Sequence, residues 1–257
     1  MKFRLAIAIA GATLALMAGH APAQGGWEDT RFDNWLLFQR NTNNTNQWKY
    51  DPRFYASYRF ANGWTFTQRV DLPMIDTSDT GPGKPQTGYS GGMGDVFIEE
   101  IVRTPEVAQN LWLDASLRIE FPTGRQSPFG ASQYQLAPNL GFTYAMPDAL
   151  RGVTVEPHAR YFWGFDPQYD NVSTSRKLDL YPAVDFGLGR GWSIAFYPEN
   201  PITYDYRKHL WFAPIDLMVL HRVDRRFQYG FGGAYKLGHP DDPAYRYIID
   251  ARLNFSF

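Results

Sequence analysis

Residues Tyr245 to Phe257 read Y-R-Y-I-I-D-A-R-L-N-F-S-F. Successive side chains of a strand point to opposite faces. One parity holds Tyr245, Tyr247, Ile249, Ala251, Leu253, Phe255 and Phe257. The other holds Arg246, Ile248, Asp250, Arg252, Asn254 and Ser256. The spacing predicts a two-faced strand, its odd residues on a wholly apolar face and its charges on the opposite one. A half-buried strand of a soluble protein would alternate in the same way, so the chain before it must decide.

Four more stretches alternate as cleanly. Leu111 to Phe121 sets Leu111, Leu113, Ala115, Leu117, Ile119 and Phe121 against Trp112, Asp114, Ser116, Arg118 and Glu120. The 134–146, 153–165 and 178–188 stretches repeat the pattern. Across all five, the apolar faces carry no charge. The opposite faces carry Asp114, Arg118, Glu120, Glu156, Arg160, Asp179, Asp185, Arg246, Asp250 and Arg252. A charge at mid-bilayer costs about 2–4 kcal/mol in a membrane barrel, so a lipid-facing surface is purged of charge while a lumen tolerates it. A soluble sandwich or lipocalin-like barrel would instead bury these faces, and would have to crowd many aromatics into one small core.

Further strands are expected at 33–40, 48–60, 64–74, 94–103, around 192–196, at 209–220 and at 227–237. Asn62-Gly63 gives the strongest hairpin signal. Strand 94–103 has no clear register, because Glu99-Glu100 forces an acid onto each face. Connections alternate between short turns and longer loops rich in Pro, Ser and Gly, the longest being 76–93. The fold expected is all-β: a transmembrane antiparallel up-and-down barrel of about twelve strands. Pro138, Pro157 and Pro182 fall inside strands, where each removes a ladder hydrogen bond, so bulges or register shifts are expected there.

The N-terminus addresses the chain for export. Lys2 and Arg4 precede an apolar run from Leu5 to Met17, and Ala21-Pro22-Ala23 offers a cleavage site. Residues 1–23 read as a signal peptide and 24–257 as the barrel. No further apolar run is long enough for a membrane helix. Without Lys2 and Arg4, the basic count falls from 25 to 23 against 26 acids, a net charge of −3. That gives nucleic acid no footprint. The absence of cysteine removes disulfides and thiolate chemistry. Aromatics make up 17% of the chain, as expected of a barrel with aromatic residues at both membrane interfaces. A last strand ending on Phe257 resembles the signal by which the barrel-assembly machinery recognises outer-membrane proteins. The expected setting is therefore the bacterial outer membrane, with its lipid and that machinery as partners.

Three segments carry a family resemblance. They are G-G-M-G-D-V-F-I from Gly91, L-W-L-D-A-S-L-R-I-E-F-P-T-G from Leu111 and Y-Q-L-A-P-N-L-G-F-T-Y from Tyr134. They are similar to the outer-membrane, transporter-like proteins named for the MetA pathway of phenol degradation. The similarity covers 91–165, with the rest of the chain matching only as barrel pattern. Glu99-Glu100 departs from the more neutral strand usual there. The resemblance implies a porin-like role for aromatic or other hydrophobic compounds.

The chemistry of the chain concentrates on the polar faces. Arg118, Glu120, Glu156, His158, Arg160, Asp179, Arg246, Asp250 and Arg252 are expected to line a lumen and select small permeants by charge and hydrogen bonding. The alternative is that opposite signs on adjacent strands pair up and close a narrow barrel with a structural or interaction role. A third reading, an outer-membrane lipid-modifying enzyme, would need a His–Ser pair on the lipid side. No clean outward face carries a histidine, and His209 and His221 read as solvated strand ends. Nothing in the spacing builds a metal or cofactor site, and Asp241-Asp242 reads as an exposed acidic loop.

Overall fold

The computed structural model describes residues 25–78, 90–124, 129–148, 152–170, 172–237 and 245–257. The expected signal peptide, most of the 76–93 loop and Asp241-Asp242 lie outside them. The strands are β1 (Gly26–Asn41), β2 (Asn46–Arg59), β3 (Thr65–Asp71), β4 (Met74–Thr77), β5 (Ser90–Met93), β6 (Val96–Arg103), β7 (Leu111–Phe121) and β8 (Tyr134–Met146). They continue with β9 (Val153–Phe165), β10 (Arg176–Gly189), β11 (Trp192–Phe196), β12 (Ile202–Asp205), β13 (Leu210–Phe212), β14 (Pro214–Arg222), β15 (Phe227–Lys236) and β16 (Tyr245–Ser256).

These segments form twelve antiparallel staves, because four staves are broken in two. The breaks fall at Leu72-Pro73, Gly94-Asp95, 197–201 and Ala213. The ring runs β1-β16-β15-β14-β11-β10-β9-β8-β7-β6-β3-β2, and β2 pairs with β1 to close it. Closure leaves no free edge in the ring itself, while β5 and β13 beyond it each pair on one side among the described residues. Two of the breaks correct the sequence reading: the ends of the 76–93 loop are β4 and β5, and the 199–208 loop contains β12.

The turns follow local chemistry. Arg190 and Gly191 both have positive φ, 53° and 81°, the backbone of a two-residue hairpin whose twist matches its strands. Gly63 has φ +86° and closes the three-residue turn at Ala61-Asn62-Gly63, where Phe60 N–H donates to Trp64 O at 2.8 Å.

The prolines do not behave as expected. Pro157 faces Pro182 in the β9–β10 ladder with no shift. The β8–β9 ladder skips the positions around Pro138 and Pro157 and resumes in the same register. Losing one N–H removes one bond but adds no residue, so register survives. The irregularities fall elsewhere, between Glu28 and Arg31 and between Gly187 and Gly189, and at the top of β16. There Arg40 pairs with Tyr247 and Asn41 with Tyr245, leaving Arg246 as the extra residue of a bulge. The bulge reverses the expected parity. Tyr245 turns inward and packs edge-on against Phe212 at 4.9 Å, while Arg246 is exposed.

Elsewhere the alternation separates two surfaces. The outer face carries exposed Leu36, Phe54, Leu113, Leu117, Leu140, Phe231, Ile249 and Leu253, with Leu140 at 70%. Aromatics gather near both ends of this face. Phe38, Trp48 and Tyr247 cluster at one end, and Trp27, Tyr58 and Phe60 at the other. Asp33, Asp51, Asp71, Glu99, Asp216 and Asp250 are buried on the inner face. Apolar side out and charge in is the arrangement a bilayer requires. Gln68 and Glu100 depart from this arrangement: both face outward, and Gln68 Nε2 donates to Glu100 Oε1 at 2.8 Å.

Candidate functional site

The interior wall is divided. Over β2, β3, β6, β7 and β9 it is ionic. Lys49 Nζ lies 3.0 Å from Asp51, whose carboxylate also meets Arg53 at 2.9 Å. Arg53 reaches Asp71 at 3.2 Å, and Asp71 meets Arg69 at 2.6 Å. Arg69 stands 3.8 Å from Glu99. Glu99 is the hub of the chain: it pairs with Arg118 at 2.9 Å and Arg160 at 2.7 Å, and Ser116 Oγ donates to it at 2.7 Å. The hub sits 1% exposed, so its three arginines replace the water it loses. Arg118 Cζ lies over the Phe97 ring, 3.7 Å from its centroid, so the ring packs against the guanidinium.

Strands β1, β11, β14, β15 and β16 add an apolar patch to the interior, beside inward-facing Asp33, Asp216, Asp250 and Arg252. Trp35, Leu37, Ala195, Met218, Leu220, Ala234, Tyr245 and Ile248 form one buried cluster, with Phe212 against it. Trp35 marks the boundary, its ring contacted by Arg53 at 4.6 Å and by Arg252 at 5.2 Å.

A break in one stave crosses between the two halves. Segment 197–201 is held on one side by Asp216, which accepts the backbone N–H of Glu199 at 3.0 Å and of Asn200 at 2.6 Å. On the other side Glu199 takes both Nη atoms of Arg53. This fixes the segment inside the ring rather than above it.

The residues singled out in the sequence divide accordingly. Arg118, Glu120 and Arg160 come together around Glu99, with Glu120 3.6 Å from Arg118 and accepting from Gln135 at 2.8 Å. His158 stacks on Tyr181 at 4.2 Å, and Arg160 lies 5.6 Å from the same ring. Glu156 faces Ala183 on the inner wall. Asp179 accepts from Thr203 Oγ1 at 2.7 Å. Arg252 pairs with Asp33 at 2.6 Å on the far wall. Asp250 is 2% exposed there, and among the described residues neither of its oxygens has a hydrogen-bond partner. Arg246 does not join them. The bulge sends it outward to donate to Thr42 O at 3.3 Å. His221, expected to be solvated, instead stacks on Trp192 at 4.2 Å, with Nδ1 3.2 Å from Tyr229 Oη.

Glu99, Arg53, Asp71, Arg69 and Glu199 were not among the sequence candidates. Arg53, Arg69 and Asp71 lie on polar faces legible from alternation, which supplied the available signal. Glu199 lies in a stretch that reads as loop, and nothing local marks it.

The short motifs of the family resemblance meet in space. Asp95 accepts the N–H of Gly124 at 3.0 Å and of Ala131 at 2.5 Å, and Thr123 Oγ1 donates to Gly94 O at 2.8 Å. They clasp the broken stave β5/β6 to the chain after β7. Burial pushes the Asp95 carboxyl above its ordinary value, outweighing the two backbone donors. Among the described residues no group of three or more His, Cys, Asp or Glu side chains is arranged to hold a metal ion.

No protein family's sequence profile matches the chain, and no curated protein sequence matches it. Solved structures do. The COG4313 outer membrane channel from Pseudomonas putida F1 is similar with a TM-score of 0.69 at 12% identity, over 92% of this chain and 97% of that one. The NanC porin is similar at 0.53 and 13% identity, over 88% and 98%. The β domain of the Bordetella autotransporter BrkA is similar at 0.54 and 12% identity, over 91% and 99%. At such identities the likeness is one of fold: a closed twelve-stranded antiparallel barrel of the outer-membrane kind.

Proposed function

We propose that the chain is a bacterial outer-membrane channel or transporter for small molecules, hydrophobic or aromatic ones among them, and not an enzyme. The observation that carries this reading is the divided interior. Inside a barrel already apolar outside, a second group of apolar side chains is packed together on one wall. An apolar strip from Trp35 to Leu220, facing a ladder of fixed ion pairs, suits a permeant with an apolar body and a polar edge. The MetA-pathway resemblance points the same way. In this reading residues 1–23 direct export, the outer belt meets outer-membrane lipid, and the strand ending at Phe257 engages the barrel-assembly machinery. Arg118, Glu120, Glu156, His158, Arg160, Asp179, Asp250 and Arg252 line the path. The test is current through the purified barrel in planar bilayers, with and without phenolic solutes. Discrete conductance steps that such solutes block support it; a silent barrel that takes up no solute overturns it.

A second reading rests on the Arg53–Glu199 contact across the ring. If the ion-pair ladder and segment 197–201 fill the interior, the barrel is closed and its role is structural or interactive. It predicts no conductance in the parent chain or in Glu199→Gln.

A further inference from the structure

We propose that the end of the barrel carrying Phe257 holds an anion-binding vestibule, built on Arg222, Arg225 and Arg226, for a phosphate or carboxylate group. A cavity of about 350 Å³ opens there, and all three arginines line it together with Gln228 and Ser256. Gln228 and Ser256 share the inward parity of Asn254, so the cavity belongs to the mouth of the barrel and not to its lipid face.

Basic groups outnumber acids at this mouth: Arg31, Arg222, Arg225 and Arg226 line the cavity with Asp29 and Asp224. Asp29 pairs with Arg31 at 2.9 Å. Asp224 turns its Oδ1 to the backbone, accepting the N–H of Arg226 at 2.7 Å and of Phe227 at 2.8 Å. That closes the tight β14–β15 turn and holds three guanidinium-bearing residues within five positions. Arg222 is fixed from the other side, its N–H donating to Gly191 O at 2.8 Å. Among the described residues none of the three arginine side chains forms an ion pair. Elsewhere on the inner wall, Arg53, Arg69, Arg118, Arg160 and Arg252 each hold a carboxylate. A guanidinium presents a planar fork of donors that matches carboxylate and phosphate oxygens, and several converging forks hold such a group better than water does. The cavity admits a phosphate with a small substituent. The source of the group is a soluble anion at the mouth or a lipid headgroup reaching over the rim, and the chemistry is the same for both.

The inference does not depend on conduction, so it is tested by binding. Inorganic phosphate titrated calorimetrically into the full-length barrel in nonionic detergent is expected to bind saturably. The triple variant Arg222→Gln, Arg225→Gln, Arg226→Gln is expected to weaken binding about tenfold or more. Arg190→Gln, on the neighbouring turn and outside the cavity, is expected to leave it unchanged. Heat-modifiable gel migration reports that each variant is folded. In nanodiscs, phosphatidylglycerol that competes with phosphate identifies a headgroup site; phosphate binding unaffected by that lipid identifies a soluble anion. Non-saturable binding, or equal affinity in the folded triple variant, overturns the proposal.

Discussion

Arg53 Nη1 donates to Glu199 Oε2 at 2.8 Å and ties β2 to a stave five strands away by the shorter path round the ring. The contact spans 146 residues of sequence and makes segment 197–201 a bar across the interior. Glu199→Gln removes the charge of the bar but leaves Arg53 with Asp51 and Asp71. The expected result is a folded barrel with larger single-channel conductance than the parent. Unchanged conductance would show that the bar is not the constriction.

Glu99→Gln is expected to be the most damaging single neutralisation. It leaves Arg118 and Arg160 buried with one partner fewer, and breaking a buried pair costs about 3–5 kcal/mol. Its neighbour Glu100 faces outward and, among the described residues, accepts only from Gln68, so Glu100→Gln should change stability by about 1 kcal/mol or less. Urea unfolding from lipid vesicles, followed by tryptophan fluorescence, compares the two. Equal losses would contradict the assignment of Glu99 as hub.

Adjacent positions at one depth test which face is which. Val184→Arg places a charge on the outer surface and should cost about 2–4 kcal/mol or block assembly. Ala183→Arg points inward opposite Glu156, which forms no ion pair among the described residues, and should be tolerated. The readout is the yield of heat-modifiable barrel. Equal tolerance would invert or abolish the inside–outside assignment.

Asp95 gives a pH dependence. Burial raises its carboxyl in the folded chain, so the folded state holds the proton more tightly than the unfolded state does. Its contribution to stability is therefore complete below the ordinary carboxylate range and is lost as pH rises through the raised value. Measured against Asp95→Asn, the parent should lose relative stability on going from acid toward neutral pH. A difference that does not vary with pH would show that the clasp at Gly124 and Ala131 does not depend on that proton.

Much of the barrel is legible in residue order because the period of a strand is two and the two solvents are opposite. β7, β8 and β9 begin and end where alternation puts them, and Arg118, Glu120 and Arg160 fall on the inner face for the same reason. Legibility stops where the pattern is broken by backbone or by tertiary contact. The bulge at Arg246 costs one residue and flips Tyr245 inward, and no local composition announces it. β14 carries apolar residues on both faces, because Met218 and Leu220 join an interior cluster as Leu217 and Val219 face out, so its register could not be read. Glu99 is ambiguous beside Glu100 until Arg118 and Arg160, from two other staves, arrive around it. Which charges pair across a ring is set by closure, and closure is not a local property.

The central claim is that this barrel conducts small molecules past its divided wall. Single-channel recording of the full-length protein in planar bilayers tests it most directly. The account predicts discrete current steps that phenolic solutes block, with the block weakened in Trp35→Ala. A correctly folded barrel that passes no current and takes up no solute would contradict it.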